Sequence, residues 1–116
     1  MKRLLLLLGA AMLFSGCQTS RPLYHWGTYE TIAYLSYSKP DKATLELQLE
    51  KLQKDVANST KVAAHPGLHA QLGYVYFQLG RVDEAVKHFE TEKTLFPEAA
   101  VFMDRMIEKA RGRASA

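Results

Sequence analysis

The stretch PGLHAQLGYVYFQLGRVDEAVKHFETEKTLFPEA, Pro66 to Ala99, decides how the rest of this 116-residue chain is read. Two helical patterns meet in it at a tight turn. Antiparallel helices joined in this way need small residues where their backbones approach and large ones where the gap opens. Gly73 and Ala85 are the small pair, and Tyr76 and Phe89 fill the space beside them. Gly80 can leave the first helix in the left-handed conformation without steric cost, Asp83 puts negative charge near the start of the second, and Pro97 cannot continue it.

The landmarks Leu72, Gly73, Tyr76, Gly80, Ala85, Phe89 and Pro97 stand at the spacing of a tetratricopeptide repeat, whose period is about 34 residues. Two positions depart from it. His69 stands where the repeat often has tryptophan, which changes the packing volume, and Glu92 stands where a small alanine is usual, which predicts looser or more polar packing at that point. One repeat cannot bury both of its faces, so neighbours are required on either side. Upstream, Trp26, Tyr29, Ile32, Ala33 and Tyr37 recur at near-helical spacing; Pro40 and Asp41 then suit a helix start, with Leu45, Leu49, Leu52 and Val56 on one face. That leucine series lasts under about two heptads, too short for a coiled coil, and reads as core packing. Asn58 to Gly67 breaks the chain between hairpins, and Ala99, Phe102, Met103, Met106 and Ala110 form one face of a last helix. The expected fold is all-α, with tetratricopeptide-like helical hairpins, about five helices, and a C-terminal helix that caps the array.

The N-terminus sets the compartment. Lys2 and Arg3 precede the apolar run Leu4 to Phe14, followed by Ser15, Gly16 and Cys17. This is a charged region, an apolar core and a small-residue cleavage zone. The run is too short for a membrane-spanning helix, which needs about 20 residues. Cys17 is the single cysteine, so no intramolecular disulfide can form. Its context resembles a bacterial lipobox, with Phe14 where leucine is usual. The resemblance implies cleavage before Cys17, acylation of its sulfur and of the new amine, and an attached soluble body. An ordinary secretory signal with a stray cysteine is the alternative. Gln18 stands where aspartate would resemble the inner-membrane retention signal of enteric bacteria, which favours the outer membrane. The expected organisation is a signal peptide at 1–16, a lipidated tether at 17–24 containing Pro22, and a helical domain at 25–116 with its clearest repeat at 66–99.

Loss of residues 1–16 would remove two of the 15 basic residues and bring the formal charge from +3 to about +1. The basic balance is therefore mostly a property of the signal, and no polyanion-binding field is implied. The cations Lys109, Arg111 and Arg113 read as complements to a helix C-terminus. Nucleic-acid binding would need a basic face interleaved with aromatics, whereas the aromatics here lie at core spacing.

Catalytic and metal-binding patterns are equally scarce. The histidines are His25, His65, His69 and His88; His65 and His69 have the i, i+4 spacing of a zinc pair, but Pro66 and Gly67 lie between them, so His65 precedes the helix that carries His69. Glu90 and Glu92, two apart on a helix, do not share a face; Glu90 is expected in weak surface pairs with Lys87 and Lys93. Phosphate loops, nucleophile elbows and dinucleotide fingerprints are missing from the sequence. The expectation is a non-enzymatic binding protein without a cofactor or metal. In tetratricopeptide arrays first-helix positions line the concave surface, and these transfer to Ala70, Tyr74, Phe77 and Gln78, with Tyr74 and Phe77 as aromatic contacts for a partner peptide or helix.

A narrower resemblance rests on YHWGTYE at 24–30, HPGLHAQLGYVYFQLG at 65–80 and FETEKTLFPEAAVFM at 89–103. Together these resemble an uncharacterised family, formally a domain of unknown function, of small bacterial lipoproteins with a tetratricopeptide-like domain. Trp26, Gly27, Tyr29 and Glu30 match its opening motif, and Glu92, Lys93, Phe96, Pro97 and Glu98 its closing one. The resemblance implies a lipid-anchored, periplasm-facing outer-membrane protein whose partner is another envelope protein, with a lipoprotein resembling the curli secretion channel as one possibility. The expected role is an interaction adaptor in a cell-envelope assembly. The alternatives are a small-ligand carrier, with a pocket between the Trp26 helix and the repeat, and a self-assembling structural lipoprotein.

Overall fold

The structure, a computed structural model, describes residue 1 and residues 21–60 and 62–115. Cys17, all but residue 1 of the expected signal, and residues 17–20 of the expected tether lie outside the described residues. In chain order the elements are strand β1 (Tyr24–His25), helix α1 (Tyr29–Ser38), helix α2 (Leu45–Asn58), strand β2 (Ala63–Ala64), helix α3 (Leu68–Gln78), helix α4 (Val82–Leu95), a 3-10 turn (Pro97–Ala99) and helix α5 (Ala100–Ser115). The fold is all-α apart from a two-residue parallel ladder, Tyr24 with Ala63 and His25 with Ala64.

The central hairpin forms for the reasons its sequence contains. At Gly73 a Cβ would sit 2.7 Å from the Phe89 ring and 3.1 Å from the Ala85 carbonyl oxygen, so a side chain there would drive α3 and α4 apart. Gly80 takes φ +78° at the turn, and Asp83 and Glu84 occupy the first turn of α4. Leu72, Tyr76, Ala85 and Phe89 are all buried. Around them the core gathers Leu52 from α2, Leu68 and Val75 from α3, and Met103, Ile107 and Ala110 from α5. The closest packing runs between successive helices, α2 on α3, α3 on α4 and α4 on α5.

The upstream half differs from the sequence reading in three places. Helix α2 begins at Leu45, not at Pro40. The Thr44 hydroxyl accepts the Leu47 N–H at 3.2 Å and supplies the cap, while Pro40 and Asp41 form part of the turn before it. Of the stripe on α1 only Ile32 is buried; Ala33 is exposed and Tyr37 is 92% exposed. Tyr24, placed in the tether by its composition, pairs with Ala63 in the ladder and sets its ring edge-on to Phe96, 6.2 Å between centroids. In the last helix Phe102, expected on the core face, is 61% exposed, and Ile107 takes an inward position instead.

Candidate functional site

The residues that match the family motifs build the frame of the domain. Gly67 precedes α3 with φ +93° and has no side chain with which to cap it. The cap comes from α4: one carboxylate oxygen of Glu92 accepts the Gly67 N–H at 2.6 Å and the other accepts the Ala70 N–H at 3.3 Å. A helix N-terminus offers unpaired N–H groups and partial positive charge, so an anion placed there is held by both. Glu92 is only 2% exposed. Of the looser or more polar packing expected at this position, the structure shows the polar form, a buried carboxylate bonded to two N–H groups.

A second buried carboxylate repeats the arrangement. Asp55 on α2 accepts the Thr28 N–H at 2.9 Å and the Thr28 hydroxyl at 2.6 Å, at the start of α1. Gly27, with φ +50°, lies so close that a Cβ would meet the Asp55 carboxylate at 2.3–2.7 Å, so glycine is required twice over. The His25 Nε2 stands 4.0 Å from the same carboxylate. Nothing in the local sequence around Asp55 announces this role, because its partner is 27 residues away.

These caps fix an aromatic cluster. Trp26 stacks on the buried His65 ring with centroids 4.7 Å apart and planes 10° apart, and Tyr29 meets His65 edge-on at 5.4 Å. Between the Trp26 segment and the repeat, where a small-ligand pocket was anticipated, this stack lies beside a depression of about 470 Å³ lined by Tyr24, Val56, Ala64, His69 and Phe96. His65 does precede the helix that carries His69. His69 instead pairs with His88, Nδ1 to Nδ1 at 3.0 Å, and Tyr76 stacks on His88 at 5.4 Å. Burial lowers the His69 pKa against the opposing pull of Glu92, and burial followed by the neighbouring His69 lowers that of His88 to about 4. Both rings are thus neutral near pH 7, one donating a proton to the other. Among the described residues no three metal-ligating side chains converge.

Remaining members of the closing motif are structural too. Lys93 reaches Asp104 of α5 at 2.6 Å and Glu90 at 3.9 Å, Phe96 packs against Tyr24, and Pro97 opens the 3-10 turn. Glu30 and Glu98 are exposed in the first turns of their helices.

The four residues proposed to meet a partner separate. Phe77 is 8% exposed and is corrected to a core residue. The Arg113 guanidinium lies 4.9 Å from its ring centroid and donates to its backbone carbonyl at 3.2 Å, and Lys109 lies over the same ring. The cover comes from α5, the cation-rich tail. Tyr74 is 46% exposed. With Ala70 it lines a groove of about 320 Å³ between α3 and α5, completed by Gln71, Phe102, Met103 and Met106 over a floor of Phe89. Its walls are apolar apart from Gln71. Gln78 lies on the other side of Tyr74, in a depression of about 370 Å³ bounded by Ser36 and Pro40. Sequence reasoning missed Phe102 because its spacing is that of a core residue, whereas it is 61% exposed beside the buried Met103.

No helix among the described residues is long and apolar enough to cross a membrane. A family model described as Domain of unknown function (DUF4810) matches residues 23–106. No curated protein and no solved structure matches the chain significantly.

Proposed function

The chain belongs to the DUF4810 family of unknown function, and we propose that it is a non-enzymatic, lipid-anchored outer-membrane protein whose tetratricopeptide-like body recruits another envelope protein. The observation that carries this reading is the apolar groove between α3 and α5, with Tyr74 and Phe102 standing exposed at its lips. In a helical-repeat array, the groove between the first helices of successive hairpins is where a partner segment lies, and aromatic anchors at its centre supply most of the affinity. The occupant fitted to these walls is the apolar face of a helix or extended segment of an envelope protein. Lipidation at Cys17 would confine both partners to one surface and raise their effective concentration, so a single modest face suffices.

The three family segments that look most like a site are used otherwise. Glu92 and Asp55 are taken up by the Gly67 and Ala70 N–H groups and by Thr28, and the Trp26–His65 stack holds the frame, which supports a structural and not a catalytic use of these residues. A second reading, a small ligand held between the Trp26 segment and the repeat, rests on the depression of about 470 Å³ lined by Tyr24, Ala64, His69 and Phe96.

The test is co-purification of the intact lipidated protein from detergent-solubilised envelopes, beside a Tyr74→Ala/Phe102→Ser variant with unchanged thermal unfolding. A defined envelope protein recovered with the wild type and lost with the variant supports the adaptor. Recovery of the same set of proteins by both forms would count against the groove. Phe77→Ala is unsuitable, because removal of a buried ring unfolds as readily as it unbinds.

A further inference from the structure

Helix α1 is out of keeping with the rest of the domain. Its sequence, YETIAYLSYS, holds one charged residue, Glu30, and one buried side chain, Ile32. Tyr29, Ala33 and Tyr37 fall at i, i+4 and i+8 and are all exposed, with the exposed Tyr34 beside them. Isolated helices shorter than about 12–15 residues are marginal in water, and this one has ten. Immediately before it, Trp26 is 49% exposed and Leu23 is 75% exposed.

The exposed tryptophan is also held with unusual firmness. Its backbone follows a ladder pair, its ring is stacked on buried His65, and the next residue is a glycine pinned against the buried Asp55 carboxylate. A buried acid, an obligatory glycine and a buried histidine together maintain one half-exposed indole with tyrosines around it. Rings with an apolar body and a polar tip, Trp and Tyr above all, are the side chains enriched at the membrane–water interface.

Chain length places this face where a bilayer would be. Eight residues, and so nine residue steps, separate Cys17 from Trp26, and even fully extended the Trp26 backbone is within about 32 Å of the cysteine. We propose that Leu23, Trp26, Tyr29, Tyr34 and Tyr37 form a membrane-docking face that seats in the headgroup layer of the bilayer to which Cys17 is anchored, and so sets the orientation of the domain. This rests on the lipid-anchor reading of Cys17. With only Glu30 charged on α1 and a formal charge of about +1 without the signal, the attraction is apolar and interfacial. Docking is therefore insensitive to salt and to the fraction of anionic lipid, unlike that of a polybasic helix.

The chain has a single tryptophan, so its fluorescence reports Trp26 alone. The intact protein, purified with its native N-terminus, is reconstituted into phosphatidylethanolamine–phosphatidylglycerol vesicles whose acyl chains are brominated at shallow or deep positions. Mass spectrometry of the N-terminal peptide reads acylation of Cys17 independently. The expected result is blue-shifted Trp26 emission, several-fold protection from aqueous acrylamide, and stronger quenching by shallow than by deep bromines, unchanged in 0.5 M salt. A Tyr29→Ser/Tyr37→Ser variant, acylated equally and with the same thermal unfolding, loses most of that protection. If the acylated, vesicle-bound protein shows no bromine quenching, the docking face is refuted and the anchor stands. If Cys17 carries no acyl group, the anchor reading and this proposal fall together. Protection that scales with protein density, without bromine quenching, would assign the face to a second copy and overturn the lipid.

Discussion

Two buried carboxylates decide how the ends of helices meet the rest of this domain. Each lies beside a positive-φ glycine: Glu92 accepts the Gly67 and Ala70 N–H groups at the start of α3, and Asp55 accepts the N–H and hydroxyl of Thr28, which precedes α1. Replacing Glu92 by alanine leaves the Gly67 and Ala70 N–H groups buried and unpaired, and should destabilise the domain by about 2–3 kcal/mol, measured by chemical unfolding of the soluble body. The motif residue was legible in the sequence; its reason was not, since Glu92 departs from the generic repeat and its partners are 25 and 22 residues away. Asp55 was invisible for the same cause. At His88 the depressed pKa carries a pH prediction. The neutral form is favoured in the folded state, so this contribution is fully present above the ordinary value of 6.5 and is lost as pH falls towards about 4. Thermal unfolding should drop between pH 7 and pH 4.5 more steeply in the wild type than in His88→Phe, which keeps a ring against Tyr76 and cannot titrate.

Among the elements, α3 is the keystone. The carboxylate of Glu92 closes its N-terminus, and Arg113 donates to the Phe77 carbonyl near its C-terminus, so each end of the helix meets the charge that its dipole favours. The hairpin of α3 and α4 was readable from Gly73, Gly80, Ala85 and Phe89, because close approach and chain reversal act within a short span of sequence. Contacts between distant helices are not local, and the cover of Phe77 comes from Lys109 and Arg113 of α5, more than 30 residues away in sequence. Helix α1 was read as one half of a packed pair from its aromatic spacing, yet that spacing produces an exposed stripe as readily as a buried one. With Ile32 as its only buried side chain, α1 should show the fastest amide hydrogen exchange of the five helices in water. On vesicles, exchange in α1 should slow while that in α3 stays the same.

At the scale of the whole molecule, the domain offers two faces with different chemistry. One is the exposed aromatic face of Trp26 and α1, next in sequence to the tether; the other is the groove between α3 and α5. The family motifs were matched by resemblance, whereas all-α architecture with about five helices and the central hairpin could be derived from the sequence, since each depends on local spacing, and the described residues hold five helices. The two-residue ladder between β1 and β2 could not, because four residues of extended chain carry no pattern of their own. An adaptor with this plan would hold its groove at a fixed orientation above a membrane, so the groove is where the account is most exposed to test. The most direct measurement is site-specific photocrosslinking in intact cells, with a benzophenone side chain at Phe102 and, as control, at the exposed Lys87 of α4. The account predicts one discrete adduct with an envelope protein from Phe102 and none from Lys87. Equal adduct patterns from both positions, or none from Phe102 in a folded and acylated protein, would contradict it.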